Sequence, residues 1–282
     1  MTAAKRGAKS TRGKGVTAAT LKIVAISAMF LDHFAVVFGP RLYPALPFLN
    51  ADGFEILRVI GRLAFPLFAY MIAAGATYTR SRPKYLLRLL VFAFISEIPF
   101  DLALFATPLK DVLHETEHQN VFFTLFLGLL CITVYDKLRE RKLELLGFLL
   151  LLFAAYAAEN VIRSDYGAMG VLSIFLFYVF LHAPRGVSEA GTVLTAVLIS
   201  FMLAFSPYLQ GATTVSGREI HIAHLDMTAR LNLNEIWAVF ALPFILLHRG
   251  EKGKKLNRWF FYVFYPAHLM LLWGAYTLLF NR

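Results

Sequence analysis

The chain has 282 residues, of which 58% are hydrophobic and 16% are charged, and its formal net charge is +10. Soluble domains usually carry about 25% charged residues, so this chain has too few charges to cover a globular surface in water. The long apolar runs exclude a disordered, collagen-like or coiled-coil protein and predict an all-α polytopic membrane protein. The basic residues are scattered between apolar runs and form no module that reads a nucleic-acid groove, so we expect no nucleic-acid partner. The single cysteine, Cys131, permits no internal disulfide.

The first 18 residues are rich in basic and small residues and predict a disordered tail, which precedes a single transmembrane domain over residues 19–282. A helix that crosses the bilayer core needs about 20 apolar residues. On that scale the chain contains nine predicted spans: 19–39, 54–79, 84–107, 119–137, 142–160, 166–183, 189–206, 233–248 and 257–280. The predicted fold is therefore a helical bundle with about nine transmembrane helices that is surrounded by membrane lipids.

The distribution of basic residues tests this count, because Lys and Arg accumulate on the cytoplasmic side of membrane proteins. With the N-terminus inside, 20 of the 28 Lys and Arg residues fall in cytoplasmic segments, six fall outside, and two lie within the second span. An eight- or ten-helix count would disturb this alternation. We therefore expect a multi-pass protein of the bacterial cytoplasmic membrane, with a cytoplasmic N-terminus and an extracytoplasmic C-terminus.

Ionisable side chains are rare inside the predicted spans, where each needs a partner, a water-filled cavity or a function. They are Asp32 and His33 in the first span, Arg58 and Arg62 in the second, Glu97 and Asp101 in the third, and His268 in the last. Counting along the helices at about 1.5 Å per residue predicts that most of them share one layer on the extracytoplasmic side of the bilayer.

The arginines and the carboxylates of this layer have the spacing of a charge network. Arg58 and Arg62 are four residues apart, as are Glu97 and Asp101, so each pair lies on one helix face. Two arginines that face two carboxylates could join three helices without any chemistry. A catalytic role and a purely structural role are both open for these four residues.

His33 is the candidate general base. Adjacent residues point about 100° apart on a helix, so Asp32 cannot pair with it directly. An imidazole at this depth beside a carboxylate from another helix would suit proton abstraction, although a lone helical His is more often structural. His268 lies near the midplane and could reach the same cavity or hydrogen-bond a neighbouring helix. Asn120 opens the fourth span, where an N-cap is its simplest role, and Asp165 could likewise cap the sixth.

A zinc-protease motif also occurs, because His114 to His118 reads HETEH and matches H-E-x-x-H. The match falls in a predicted extracytoplasmic connection and not on a long helix, and no third ligand is evident nearby. We expect no metal cofactor, and a membrane zinc protease stays only as a minor alternative.

An ordered set of segments resembles the TraX family. The segments include LDHF from residue 31, GRLAFP from 61, SEIPFD from 96, HQNVFFTL from 118 and YPAHL from 265. The namesake of the family N-acetylates the terminal residue of a conjugative pilin, and its members are similar in organisation to membrane acyltransferases. The resemblance implies transfer of an acetyl group from cytoplasmic acetyl-CoA to an extracytoplasmic acceptor, which would be a peptide or pilin amine or an envelope glycan or lipid.

The matching blocks imply a set of site residues. His33 would be the general base, and Asp32, Glu97 or Asp101 would orient it. Donor or acceptor binding would fall to Arg58, Arg62, Asn120, Tyr265 and His268. Of these, either arginine could stabilise the oxyanion or hold the donor's phosphates. The alternative from a different class is a transporter or channel, in which the same charged layer is a proton or substrate pathway.

Overall fold

The computed structural model describes residues 15–42, 51–105, 118–213, 233–248, 250–251, 253–254 and 256–280. No β-strand occurs in these ranges, and most of their residues are helical. The helices are α1 (Ala18–Leu42), α2 (Ala51–Gly61), α3 (Ala64–Tyr78), α4 (Arg82–Leu104), α5 (Val121–Arg139), α6 (Glu144–Asn160), α7 (Gly167–Leu181), α8 (Arg185–Thr213), a 3₁₀ helix (Leu233–Ala241), α9 (Leu242–Leu247) and α10 (Arg258–Phe280). Most of the predicted basic tail and residues 114–117 of the HETEH motif lie outside the described residues.

Each of the nine predicted apolar segments coincides with helical structure, and the predicted all-α membrane bundle is confirmed. Four described helical stretches are long and apolar enough to cross a membrane: Ala18–Leu42, Phe54–Tyr78, Val121–Arg139 and Trp259–Phe280. Large apolar side chains also face outwards, such as Leu145 and Phe153 on α6, which are 72% and 68% exposed. Such a surface is unfavourable in water and suits contact with lipid.

The second predicted span is broken into α2 and α3. The amide of Arg62 is shared between the carbonyls of Arg58 and Val59, and the amide of Leu63 bonds Ile60 three residues back. Pro66 has no N–H for the carbonyl of Arg62 and therefore weakens the helix at this point. The break places Arg62 at a helix junction inside the bundle.

Small residues allow the central helices to pack closely. A Cβ added at Gly170 of α7 would lie 2.3 Å from Cγ2 of Thr124 on α5, and one added at Gly128 would lie 2.6 Å from Cδ1 of Ile174. Glycine is therefore required where α5 crosses α7. The core around this crossing contains fully buried large side chains, among them Leu129 and Phe177.

The predicted cytoplasmic turns meet at one end of the bundle, which we call the basic end. There Nη1 of Arg82 at the start of α4 donates to Asp136 of α5 at 2.6 Å, and Val16 N donates to the carbonyl of Leu247 at 3.0 Å. At the opposite end, Gln119 N donates to the carbonyl of Arg163 at 3.0 Å. These contacts join helix ends at the two opposite ends of the bundle.

Candidate functional site

Both intramembrane arginines bind the carboxylate of Asp32. Nη1 of Arg58 donates to both carboxylate oxygens of Asp32 at 3.0 Å, and Nη2 of Arg62 donates to Oδ1 at 2.7 Å. Nη1 of Arg62 donates to Glu235 at 2.6 Å. The network joins α1, the α2–α3 junction and the 3₁₀ helix, and its two positive charges balance two negative ones.

This pairing differs from the one that the sequence spacing suggests. Neither arginine donates to Glu97 or Asp101 within the described residues; the carboxylate partners come from α1 and the 3₁₀ helix instead. Glu235 is not among the site residues that the sequence predicts, because it lies at the outer end of its apolar segment. An acidic residue within the first turn of an apolar helix is the signal that could have identified it.

Gly61 allows this network to form. A Cβ at position 61 would lie 2.3 Å from the Cβ of Asp32, which is far inside van der Waals contact. The absence of a side chain at Gly61 lets α2 approach α1 at the level of Asp32. The side chain of Arg62 is only 10% exposed in this contact, so most of its charge is compensated by protein groups.

His33 contacts a second histidine, and no carboxylate of the described residues bonds to it. Its Nδ1 lies 2.7 Å from Nε2 of His268, and the two rings are nearly parallel, with an angle of 6° between them and centroids 5.0 Å apart. Nδ1 of His268 lies 2.8 Å from the carbonyl oxygen of Phe264. The structure thus brings His268 to His33, and it does not place Asp32, Glu97 or Asp101 on the bonded nitrogen of His33.

These two contacts determine where the protons lie when both imidazoles are neutral. A carbonyl oxygen only accepts, so Nδ1 of His268 carries a proton and its Nε2 carries a lone pair. Nδ1 of His33 must then be the donor to His268, which leaves the lone pair of His33 on its Nε2. No hydrogen-bond partner of that Nε2 occurs among the described residues, so this nitrogen can accept a proton.

Tyr265 lies between the histidine pair and the N-terminus of α5. Its ring meets His33 edge-on with centroids 6.0 Å apart, and it meets Phe122 edge-on at 5.2 Å. The residue is buried. It therefore packs the histidines against the start of α5, which follows Asn120.

Asn120 is an N-cap, as expected, and it also binds Glu97. Its side-chain oxygen accepts from Phe122 N at 3.0 Å, while Nδ2 donates to the carbonyl of Ala93 at 2.8 Å and to the Glu97 carboxylate. Asp101 is completely buried one turn further along α4. The cap role and the site role of Asn120 thus coincide, and they attach α5 to α4.

Asp165 belongs electrostatically to the same site and is not a helix cap. The residue that caps α7 is Tyr166, which makes no side-chain capping bond, so the predicted cap at Asp165 is wrong. Desolvation raises the pKa of its carboxyl to about 7, although the positive charge of Arg62 acts in the opposite direction.

Tyr166 beside it adopts a left-handed backbone with φ of 64°, which is rare for a residue with a side chain. Its ring stacks on Phe65 with centroids 3.7 Å apart. This stacking holds the α6–α7 connection against α3, next to the Arg62 junction. The polar residues that directly precede the apolar helix α7 are the sequence feature that could have indicated this part of the site.

Fold and site together define a polytopic helical membrane protein that holds a histidine pair and a neutralised charge network inside its bundle. Residues 17–275 match the family described as TraX protein. The chain is also 30% identical over 274 residues to the probable fimbrial assembly protein FimC, serogroup H1, of Dichelobacter nodosus, an alignment that covers 94% of this chain and 98% of that protein. The chain belongs to the TraX family, as its motifs predict. No solved structure matches it.

Proposed function

We propose that this protein is an acyltransferase that moves an acetyl group from acetyl-CoA to an amine or hydroxyl of an extracytoplasmic acceptor. The observation that carries the proposal is the contact between His33 and His268. It gives His33 a defined tautomer with a basic nitrogen, at a depth where a histidine without a role is unfavourable. The bacterial cytoplasmic membrane, with the N-terminus inside, is the location that the charge distribution supports.

The chain would supply proton transfer and charge stabilisation. Nε2 of His33 takes the proton of the acceptor as the acceptor's nitrogen or oxygen bonds to the thioester carbonyl carbon. The carbon–sulfur bond then breaks, and His33 returns the proton to the sulfur, so a free thiol leaves and the imidazole is neutral again. No external oxidant or reductant is needed.

Arg58 is the better placed of the two arginines for stabilising the oxyanion. Arg62 uses Nη1 and Nη2 for Glu235 and Asp32, whereas the hydrogen bonds of Arg58 to Asp32 both come from Nη1. The Arg58 side chain is also 35% exposed, against 10% for Arg62. Arg58 therefore keeps further N–H donors that can be directed at a developing negative charge.

The nature of the acceptor is supported by the comparison with a relative. The Dichelobacter nodosus relative is named a probable fimbrial assembly protein, which favours a fimbrial or pilin-like subunit as the acceptor. A peptide N-terminus is therefore the acceptor that we propose first, ahead of a glycan or lipid hydroxyl.

Acetyl transfer in membranes tests the proposal. Membranes that contain the full chain are supplied with radiolabelled acetyl-CoA and envelope proteins, and acetyl incorporation is compared between the wild type, His33→Ala and His182→Ala. Loss of a general base lowers the rate about 10²–10⁴-fold. His182 serves as a matched control because it lies at the basic end, where its hydrogen bonds among the described residues are with Thr77 and Tyr178.

Full activity of His33→Ala would remove the catalytic assignment. Flux of a solute through proteoliposomes without consumption of acetyl-CoA would favour the transporter alternative instead.

A further inference from the structure

A cavity of about 860 Å³ lies between α1, α3, α4, α5 and α10. Its volume falls within the range of small-molecule sites, about 300–1,000 Å³. Most of its wall is apolar or aromatic. The residues that line it do not include the histidine pair or Asp32, Arg58, Arg62 and Glu235.

The cavity extends from the basic end to the histidine pair. At the basic end it is lined by Ala18, Tyr78 and Lys254, and at its inner end by Met29 and Tyr265. Ala18 and Met29 are about 16 Å apart along α1 at 1.5 Å per residue.

The inner end of the cavity lies within one helical turn of both histidines. Met29 precedes His33 by four residues on the same helix face, and Tyr265 precedes His268 by three. The ring of Tyr265 also meets His33 edge-on at 6.0 Å. A molecule that enters at the basic end and fills the cavity would therefore reach Met29 and Tyr265, the lining residues next to the histidine pair.

Two cations of the cavity wall have no carboxylate partner among the described residues. Nζ of Lys22 lies 5.1 Å from the ring centroid of Phe261, and the guanidinium carbon of Arg88 lies 5.6 Å from that of Tyr85 and 5.8 Å from that of Tyr262. Both are partly buried. Aromatic faces compensate a positive charge only weakly, so an anion of a ligand would be stabilised at this position.

We infer that this cavity binds the acyl donor as a thioester with a phosphate-bearing head, of the coenzyme A type. Lys22 and Arg88 bind the phosphates, the apolar walls accept the arm that follows, and the acyl group reaches Met29 and Tyr265 beside His33. This inference rests on the proposed function and assigns its donor site. A phospholipid shares the chemistry of an apolar chain below a phosphate, so the experiment must separate the two sources.

Binding of coenzyme A without its acyl group tests the inference independently of catalysis. Calorimetry with the purified full chain in detergent compares the wild type with Lys22→Gln, Arg88→Gln and the double variant. Charge-assisted contacts to phosphate are strong, so we expect each single variant to lose about tenfold in affinity and the double variant more. Lys137→Gln and Arg139→Gln are matched controls, because both residues are exposed on the last turn of α5 away from the cavity.

The outcomes separate this inference from the proposed function. Unchanged coenzyme A affinity in the double variant, with normal thermal unfolding, would overturn the donor site even if acetyl transfer occurs. Displacement of coenzyme A by phosphatidylglycerol vesicles at equal affinity would overturn it too, in favour of a lipid site. Coenzyme A binding that is lost in the double variant supports the site, even if no acetyl transfer is detected and the proposed function fails.

A variant that narrows the cavity provides a second measurement. Ala74 lines the cavity on α3, and Ala74→Phe would occupy part of its volume without changing any charge. Weaker coenzyme A binding by this variant, at an unchanged unfolding temperature, is the expected result. Unchanged binding would contradict a path through the cavity.

Discussion

Nδ1 of His33 lies 2.7 Å from Nε2 of His268, although the two residues are 235 positions apart in the sequence. The bond joins the first and last described helices of the bundle. Because His268 is itself bonded to the Phe264 carbonyl, the arrangement is a short relay with a defined direction. The proton-accepting end is Nε2 of His33.

His268 should therefore act as a positioning residue for His33. His268→Ala removes the acceptor for Nδ1 of His33 and leaves the imidazole free to rotate and to exchange tautomers. We expect the kcat of acetyl transfer to fall about tenfold or more, less than in His33→Ala, with little change in coenzyme A affinity. His268→Gln can still accept that hydrogen bond through its side-chain oxygen and should recover part of the loss. Equal activities of the Ala and Gln variants would contradict the positioning role.

Gly61→Ala should destabilise the protein. The added Cβ would collide with Asp32 at 2.3 Å, next to the backbone of α1 and not at the end of a flexible side chain. Overpacking of this kind costs about 1–3 kcal/mol, and we expect a lower unfolding temperature in detergent. Gly274→Ala on α10 is the control, because a Cβ there meets nothing within 4 Å. An unfolding temperature for Gly61→Ala equal to that of the control would show that α1 and α2 can separate freely.

Asp165 should make stability depend on pH. Its carboxyl has a pKa of about 7 in the folded protein, against an ordinary value of 3.8 for an aspartate, so the folded state binds the proton more tightly. The contribution of Asp165 to the free energy of unfolding is then greatest below pH 4 and decreases as the pH rises to about 7. Asp165→Asn should match the wild type at pH 4 and unfold at a higher temperature at pH 8. Glu189→Gln, on the exposed start of α8, is the control; a larger effect there than at Asp165 would contradict the assignment.

The membrane bundle and its apolar segments follow from the sequence because each depends on local runs of residues. A stretch of about 20 apolar residues forms its own backbone hydrogen bonds and needs no particular partner to be recognisable. The motif blocks around His33, Arg62, Glu97, Asn120 and His268 likewise predict the family, since they are contiguous and keep their order.

The pairings inside the site did not follow from the sequence. The spacing of Glu97 and Asp101 suggests that these two carboxylates pair with the arginines. In the structure the arginines form their salt bridges with Asp32 and Glu235 instead. Helical spacing states which residues share a face and contains no information on how the helix is rotated in the bundle. Gly61 and the break before Pro66 set that rotation here.

The class of protein, the helical segments, the alternation of basic turns and the family follow from the sequence alone, because hydrophobicity and charge act along a single segment. His268 becomes the partner of His33, and Lys22 and Arg88 come to line one cavity, only in the folded protein. Those relationships arise from helix packing between distant segments, where a side chain's neighbours depend on crossing angle and close contact and not on its position in the chain.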